Sequence, residues 1–382
     1  MARIRALVVD DSVVIRRVVR NVLAADPEID VVGVAANGRI ALAMIEQLTP
    51  DALTLDLEMP DMDGLETLKQ LRRTHPKLPV IMFSTVTERG ALATLEALAC
   101  GADDYVTKPA NVGNLLEGME RIREQLIPKI KALTYRTWIT ANAPGPARSL
   151  PPGIVPPPGP ASPAAGVRKR VQPVAAPAEV ELVAIGTSTG GPNALADIVS
   201  VLPAEFPAPI LVVQHMPPMF TRFLAQRLAN ISALPVKEAA EGDGLQPGHV
   251  FVAPGDYHMI VVRDGTSGKL RLGQEPPENS CRPSVDVLFR SVAAAFGRRA
   301  LAVVLTGMGR DGLNGCEHIH EAGGQILVQD QATSVVWGMP GFVSKAGIAD
   351  RELPLAEIPG ELLRRTSAVS RRMAGPVARS AH

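Results

Sequence analysis

Ser188 lies in G-T-S-T-G (186–190). This is the spacing of a nucleophile elbow, in which small neighbours let the chain turn sharply and lift a hydroxyl above a sheet edge. A serine hydroxyl attacks poorly until a histidine takes its proton, and that histidine needs a carboxylate to set its tautomer. His215 closes the apolar run "LVVQHM", and Asp311 sits in "LTGMGRDG" just after another such run. Both would then lie at the sheet rim that carries Ser188. The helix opening near Gly190 aims free N–H groups at the same spot, which favours a developing oxyanion. Taken alone, G-x-S-x-G more often marks a plain strand-to-helix turn with the serine as N-cap; the histidine and aspartate shift that balance. A phosphate loop would need a lysine after its glycines, and here "PNALADI" follows. A dinucleotide site would need a middle glycine and an acid at the end of the next strand, where His215 stands.

A second group is acidic. Asp10 and Asp11 end the first strand candidate, Asp56 ends the third, Ser84 the fourth and Lys108 the fifth. Ligands of open α/β sheets bind beyond the carboxyl ends of strands. Three carboxylates gathered there repel unless a hard cation sits among them, and Mg²⁺ with its oxygen preference suits two or three carboxylates plus a phosphate. Lys108 would meet phosphate oxygens. The plain reading of each piece is a helix cap or an acidic turn, but five such positions at strand ends argue for one site.

These residues need sheets to hold them. Short β-branched runs at 4–10, 30–35, 51–56, 79–84 and 103–107 alternate with amphipathic helical patterns, and a further helix is expected over 112–133. The theme repeats at 180–186, 209–215, 249–254, 300–307 and 324–330. Strands separated by helices predict parallel sheets covered on both faces. The fold class is therefore α/β, with two doubly wound parallel-sheet domains. A hairpin, "HMIVVRDG" and "KLRLGQ", is expected on an edge of the second sheet. Residues 142–177 hold eleven of the chain's 34 prolines, which predicts a semi-extended linker. The division expected is 1–125 for the first domain, 126–179 for a helix end and linker, 180–366 for the second, and 367–382 for a flexible tail. Basic and acidic residues number 39 each, so no basic excess points to nucleic acid. Cys100, Cys281 and Cys316 are odd in number and widely spaced, which supports neither a disulfide framework nor a zinc site and fits a reducing cytosol. An N-terminus meeting two aspartates after four apolar residues is no signal peptide, and no apolar run is long enough to insert in a membrane. A cytoplasmic protein is expected. His318 and His320, two apart on an expected helix, do not share a face as metal ligands would.

The first domain resembles the receiver domain of two-component response regulators, a flavodoxin-like fold, through "VVDDS", "LDLEMPDMDG", "FS" and "YVTKP". The resemblance implies that Asp56 accepts a phosphoryl group from a sensor histidine kinase. It implies Mg²⁺ held by Asp11, Asp56 and the Glu58 carbonyl, with Asp10 acting through water, and Ser84 and Tyr105 as the switch pair. The second domain, Rossmann-like, resembles the catalytic domain of the chemotaxis protein-glutamate methylesterases. The carrying stretches are "AIGTSTGGPNAL", "VVQHMPPMFT", "APGDYHM", "RPSVDVLF", "LTGMGRDG" and "ATSVVWGMP". That resemblance implies Ser188 as nucleophile, His215 as base and Asp311 as orienting carboxylate. Thr189 and Gly190 would stand at the rim, with the Met308 N–H as oxyanion donor. It implies methyl-accepting chemoreceptors as substrates, deamidation of their glutamines as a second activity, and no cofactor for the esterase step. Cys281 departs from the family pattern, which leads to an expectation of histidine there. The alternatives are a receiver controlling a DNA-binding effector, which would need a basic helix-turn-helix after the linker, and a pseudo-enzyme that only binds receptors.

Overall fold

The computed structural model describes residues 3–108, 115–142, 179–265 and 267–373. The proline-rich stretch expected to be a linker lies outside them. The first domain runs β1 (Ile4–Val9), α1 (Val13–Ala24), β2 (Ile29–Ala35), α2 (Gly38–Leu48), β3 (Ala52–Asp56), α3 (Gly64–Thr74), β4 (Val80–Ser84), α4 (Glu88–Ala99), β5 (Asp104–Thr107) and α5 (Leu115–Asn142). Its five strands pair in parallel in the order β2-β1-β3-β4-β5, so the chain reverses direction across the sheet at β1 and β3. That switch point opens the crevice where Asp10 and Asp56 sit. Strands β3 and β4 are buried at every position, as expected of a sheet covered on both faces. Side chains of Asn37, Asp63 and Thr87 cap α2, α3 and α4, satisfying N–H groups those helices would otherwise leave open. α5 continues to Asn142, nine residues beyond the expected end at 133, because "TYRTWITAN" holds no glycine or proline to stop it.

The second domain holds β6 (Leu182–Thr187), α6 (Gly191–Val199), β7 (Ile210–Gln214), α7 (Phe220–Ile231), β8 (Val236–Glu238), β9 (Val250–Val252), β10 (His258–Asp264), β11 (Ser267–Gly273), α8 (Val285–Phe296), β12 (Ala300–Val304), α9 (Leu313–Glu321), β13 (Gln325–Gln329), α10 (Met339–Lys345), β14 (Arg351–Leu353) and α11 (Ile358–Met373). Seven strands form one parallel sheet in the order β14-β13-β12-β6-β7-β9-β8. The chain starts in the middle at β6, builds outward through β7, and returns to β12 on β6's other side. The carboxyl ends of β6, β7 and β12 therefore lie side by side. β10 and β11 form a separate two-stranded sheet, with β11 also bridged to Gly244, which corrects the expected position on an edge of the main sheet. Met259, Val261 and Leu270 of this hairpin bury their side chains in the same cluster as Leu288, Phe289 and Val292 of α8. Burial on the helix thus replaces pairing with the sheet. α11 corrects the expected tail in part, since its backbone stays helical to Met373, just short of the Gly375-Pro376 pair. The rest of that tail lies outside the described residues.

Candidate active site

Ser188 follows β6 directly, with its N–H on the Thr306 carbonyl (3.1 Å) and its own carbonyl accepting from Gln214 Nε2 (3.0 Å). The turn after it depends on glycine. Gly190 has φ +79, and a Cβ there would lie 2.6 Å from Val335. At Gly191 a Cβ would meet Gln214 Oε1 at 2.0 Å. The small residues of G-T-S-T-G-G are thus a packing requirement, not only a conformational one. The N–H groups of Thr189, Gly190 and Met308 donate to no described residue. They are the donors an oxyanion site would need.

His215 follows β7, its N–H bonded to the Thr187 carbonyl (3.2 Å), and its Nε2 lies 2.8 Å from Asp311 Oδ2. Asp311 is almost fully buried, and the N-terminus of α8 is built around it. Val285 N–H donates to Oδ2 (2.7 Å), while Oδ1 accepts from Ser284 Oγ (2.8 Å), Asn279 Nδ2 (2.9 Å) and the Asp286 N–H (3.1 Å). These donors, together with the positive end of the helix dipole, make a buried carboxylate tolerable. Asp286, two residues into α8, turns its own carboxylate to the Gly312 (2.9 Å) and Gly315 (2.7 Å) N–H groups at the start of α9. "RPSVDVLF" therefore carries the scaffold of Asp311, a role that its residue types alone do not reveal. Burial disfavours charge on both partners. For His215 the pull of Asp311 and Cys281 outweighs it and raises the imidazole's pKa; for Asp311 the bond to His215 outweighs it and lowers the carboxyl's.

Ser188, Thr189, His215, Cys281 and Met308 line one cleft of about 510 Å³. Among the described residues no hydrogen bond joins Ser188 Oγ to His215. The opposite wall of the cleft is the first domain, through Tyr105, Thr107, Glu124, Gln125 and Lys129. Thr189 Oγ1 donates to Asp104 Oδ2 of β5 (2.5 Å), which also pairs with Lys129 Nζ (3.0 Å). Tyr105 stacks on Phe220, at the start of α7, with ring centroids 5.0 Å apart and planes 5° apart. Further along, Asn193 Nδ2 donates to the Leu98 carbonyl (2.8 Å) and Arg222 pairs with Glu88 (2.6 Å). Leu95 and Leu98 of α4 belong to the same buried cluster as Leu195, Phe220 and Phe223.

In the first domain's crevice, Asp10, Asp11 and Asp56 each bring a carboxylate oxygen within 4.8 Å of the others. Asp10 Oδ2 and Asp56 Oδ2 are buried without a well-directed hydrogen bond, but lie 2.9 and 2.7 Å from Lys108 Nζ, so their contact is ionic. Burial and the neighbouring Asp10 charge raise Asp56 to about 6. An all-oxygen donor set with carboxylate charge to spare fits a hard divalent cation. Glu58 N–H reaches back to Asp56 Oδ1 at 3.4 Å, the loop conformation that follows β3. Ser84 is buried and turned toward α4: its Oγ donates to the Gly90 carbonyl (3.1 Å) and accepts from Thr94 Oγ1 (2.7 Å). Thr94 is a partner that sequence reasoning did not single out.

Comparison with known proteins agrees with both halves. Residues 183–362 match the CheB methylesterase family model, and residues 6–120 match the response regulator receiver domain. The protein-glutamate methylesterase/protein-glutamine glutaminase of Trichodesmium erythraeum is 50% identical over 366 residues, covering 96% of this chain and 99% of its own. Its counterpart in a Nocardioides species is 53% identical over 365 residues, covering 96% of each. The chain belongs to this methylesterase family. Among solved structures, the catalytic domain of a Thermotoga maritima CheB methylesterase is 43% identical, covering 49% of this chain and 99% of its own, with a TM-score of 0.48. Family membership and the parallel sheet over 182–353 dispose of a DNA-binding effector. In this methylesterase-family chain, no helix among the described residues is long and apolar enough to cross a membrane.

Proposed function

We propose that the chain removes methyl groups from glutamate γ-methyl esters on chemoreceptors, releasing methanol, and deamidates receptor glutamines at the same cleft. The hydrogen-bonded His215–Asp311 pair beside Ser188, under free backbone N–H groups, carries the reading. Ser188 Oγ attacks the ester carbonyl as His215 takes its proton. With Nε2 against Asp311, Nδ1 is the ring nitrogen left for that transfer. The N–H groups of Thr189, Gly190 and Met308 receive the charge on the carbonyl oxygen, each such donor typically worth about 2.7–4 kcal/mol. His215 returns the proton to the departing methoxide, giving methanol, and then draws one from the water that cleaves the acyl-enzyme. A glutamine offers the same carbonyl with ammonia as the leaving group.

The receiver regulates this reaction by standing on the cleft. Asp56 is its phosphoacceptor, and Lys108, already paired with Asp56, grips the phosphoryl oxygens. Mg²⁺, when held by Asp10, Asp11, Asp56 and the Glu58 carbonyl, supplies charge neutralisation for those oxygens. Ser84 and Tyr105 couple the crevice to the interface: Ser84 by leaving Gly90 and Thr94 for the phosphate, Tyr105 by leaving Phe220. A sensor histidine kinase is the phosphodonor, and a cytoplasmic setting brings it and the receptor helices together. A shift of a few kcal/mol toward the undocked form is enough to change its population greatly. The test is methanol release from methylated receptor, with and without a phosphodonor. Wild type should be stimulated and Ser188→Ala should release none above background; a normal rate from Ser188→Ala would overturn the assignment.

A further inference from the structure

We propose that His215, Cys281 and Asp311 form a site for a thiophilic divalent cation of the zinc class, whose binding shuts the esterase off reversibly. This rests on the esterase reading above and adds a regulator to the same cleft. One nitrogen, one sulfur and one carboxylate oxygen lie within 4.8 Å of one another. They come from three separate places: the end of β7, the loop before α8 and the loop after β12. Nitrogen and sulfur donors with a single carboxylate suit zinc, whereas the all-oxygen set at Asp10, Asp11 and Asp56 does not. Metal–ligand bonds of about 2.0–2.3 Å separate tetrahedral ligands by roughly 3.3–3.8 Å. The 2.8 Å between His215 and Asp311 needs only a small widening, and the Cys281 sulfur, within 4.8 Å of both, only a small approach.

The surroundings favour such a site. Asp311 Oδ1 is held by Ser284, Asn279 and the Asp286 N–H, which fixes the carboxylate and leaves Oδ2 toward His215. Fixed outer partners of this kind raise metal affinity. Thiolate and carboxylate together neutralise a dication. The cleft wall shared with Ser188 leaves room for a fourth ligand, a water or the serine hydroxyl. A neutral imidazole ligated through Nε2 carries its remaining proton on Nδ1, so it has no lone pair for the proton of Ser188. Occupation and catalysis are therefore mutually exclusive. A histidine at 281 would offer nitrogen in place of sulfur, and the thiolate signature would vanish.

The full-length chain with Co²⁺ alone should show the thiolate-to-metal absorption of a tetrahedral sulfur site, and Zn²⁺ should displace it. Cys281→Ala and Cys281→Ser should both lose that band, while Cys100→Ser keeps it. With Zn²⁺ added, methanol release should fall and return with a chelator. The inhibitory concentration should rise by about tenfold or more in Cys281→Ala, each variant being scaled to its own metal-free rate. The absorption stands even if the substrate assignment fails, so the two ideas are separable. No thiolate band in wild type, a band that survives in Cys281→Ala, or equal Zn²⁺ inhibition of both proteins would overturn the site.

Discussion

The acidic crevice and the serine cleft differ in how much of each is already assembled. In the crevice Lys108 lies within 3 Å of both Asp10 and Asp56, so the charges that a phosphoryl group would meet are in place. At the cleft only half the relay is formed: His215 is bonded to Asp311, whereas no hydrogen bond links it to Ser188. The formed half makes no hydrogen bond to the receiver among the described residues. The serine turn is the part the receiver touches, through Thr189 and Asp104. The difference teaches where control is applied. On the proposed reading, the crevice stands ready for its phosphodonor, while the cleft proposed to admit a receptor helix is incomplete where the receiver stands against it.

The largest effect should come from removing the one link the cleft has formed. Asp311→Asn keeps the shape but takes the charge that holds the His215 tautomer, and in serine hydrolases such a change lowers turnover by roughly 10⁴-fold. Phosphorylation of the same variant by a phosphodonor should proceed at the wild-type rate, since the crevice shares no residue with the cleft. Parallel assays of methanol release and phosphoryl incorporation check this. Loss of both activities together would show that the two sites are not independent in the way the contrast requires.

Much of that contrast follows from residue order. β-branched runs ending in Asp10, Asp56, His215 and the turn at Ser188 place chemistry at strand ends, because a parallel sheet gathers its carboxyl ends on one rim. β8 and β14, three residues each, are too short to show alternation, and they exist because β9 and β13 offer them an edge. The cradle of Asp311 could not be read either. Ser284 looks like an ordinary N-cap, yet its hydroxyl serves a carboxylate 27 residues away. The stacking of Tyr105 on Phe220 belongs to two domains, and no local pattern predicts which faces will meet.

A smaller effect should come from loosening the interface at its rim. Arg222 and Glu88 form a half-exposed ion pair at 2.6 Å, and such pairs are worth up to about 1 kcal/mol. Arg222→Glu sets like charges together and should raise basal methanol release by roughly two- to fivefold without phosphodonor, by the same arithmetic. The reciprocal exchange, Arg222→Glu with Glu88→Arg, should bring the basal rate back down. A basal rate unmoved by either change would mean that α4 and α7 do not part when the enzyme becomes active.

The smallest change in activity is expected at a site remote from both, and it separates loosened docking from lost stability. Glu361 on α11 is 5% exposed and is bonded by Arg364, Arg365 and Arg351. Arg364's hydrogen bond, against the opposing effect of burial, and then Arg365 lower its pKa to about 2. A carboxyl whose folded pKa is depressed stabilises the protein above its unfolded value, and that contribution is lost as pH falls toward the folded one. Glu361→Gln should therefore lower unfolding stability by about 2 kcal/mol near neutral pH. The gap from wild type should close as pH drops from about 4.3 toward 2. Denaturant melts across that range measure it. The ratio of stimulated to basal methanol release should stay at the wild-type value, because neither the crevice, the cleft nor the α4–α7 contact is touched. If that ratio rose as it should in Arg222→Glu, general softening of the second domain would explain both, and the interface would lose its claim to be the brake.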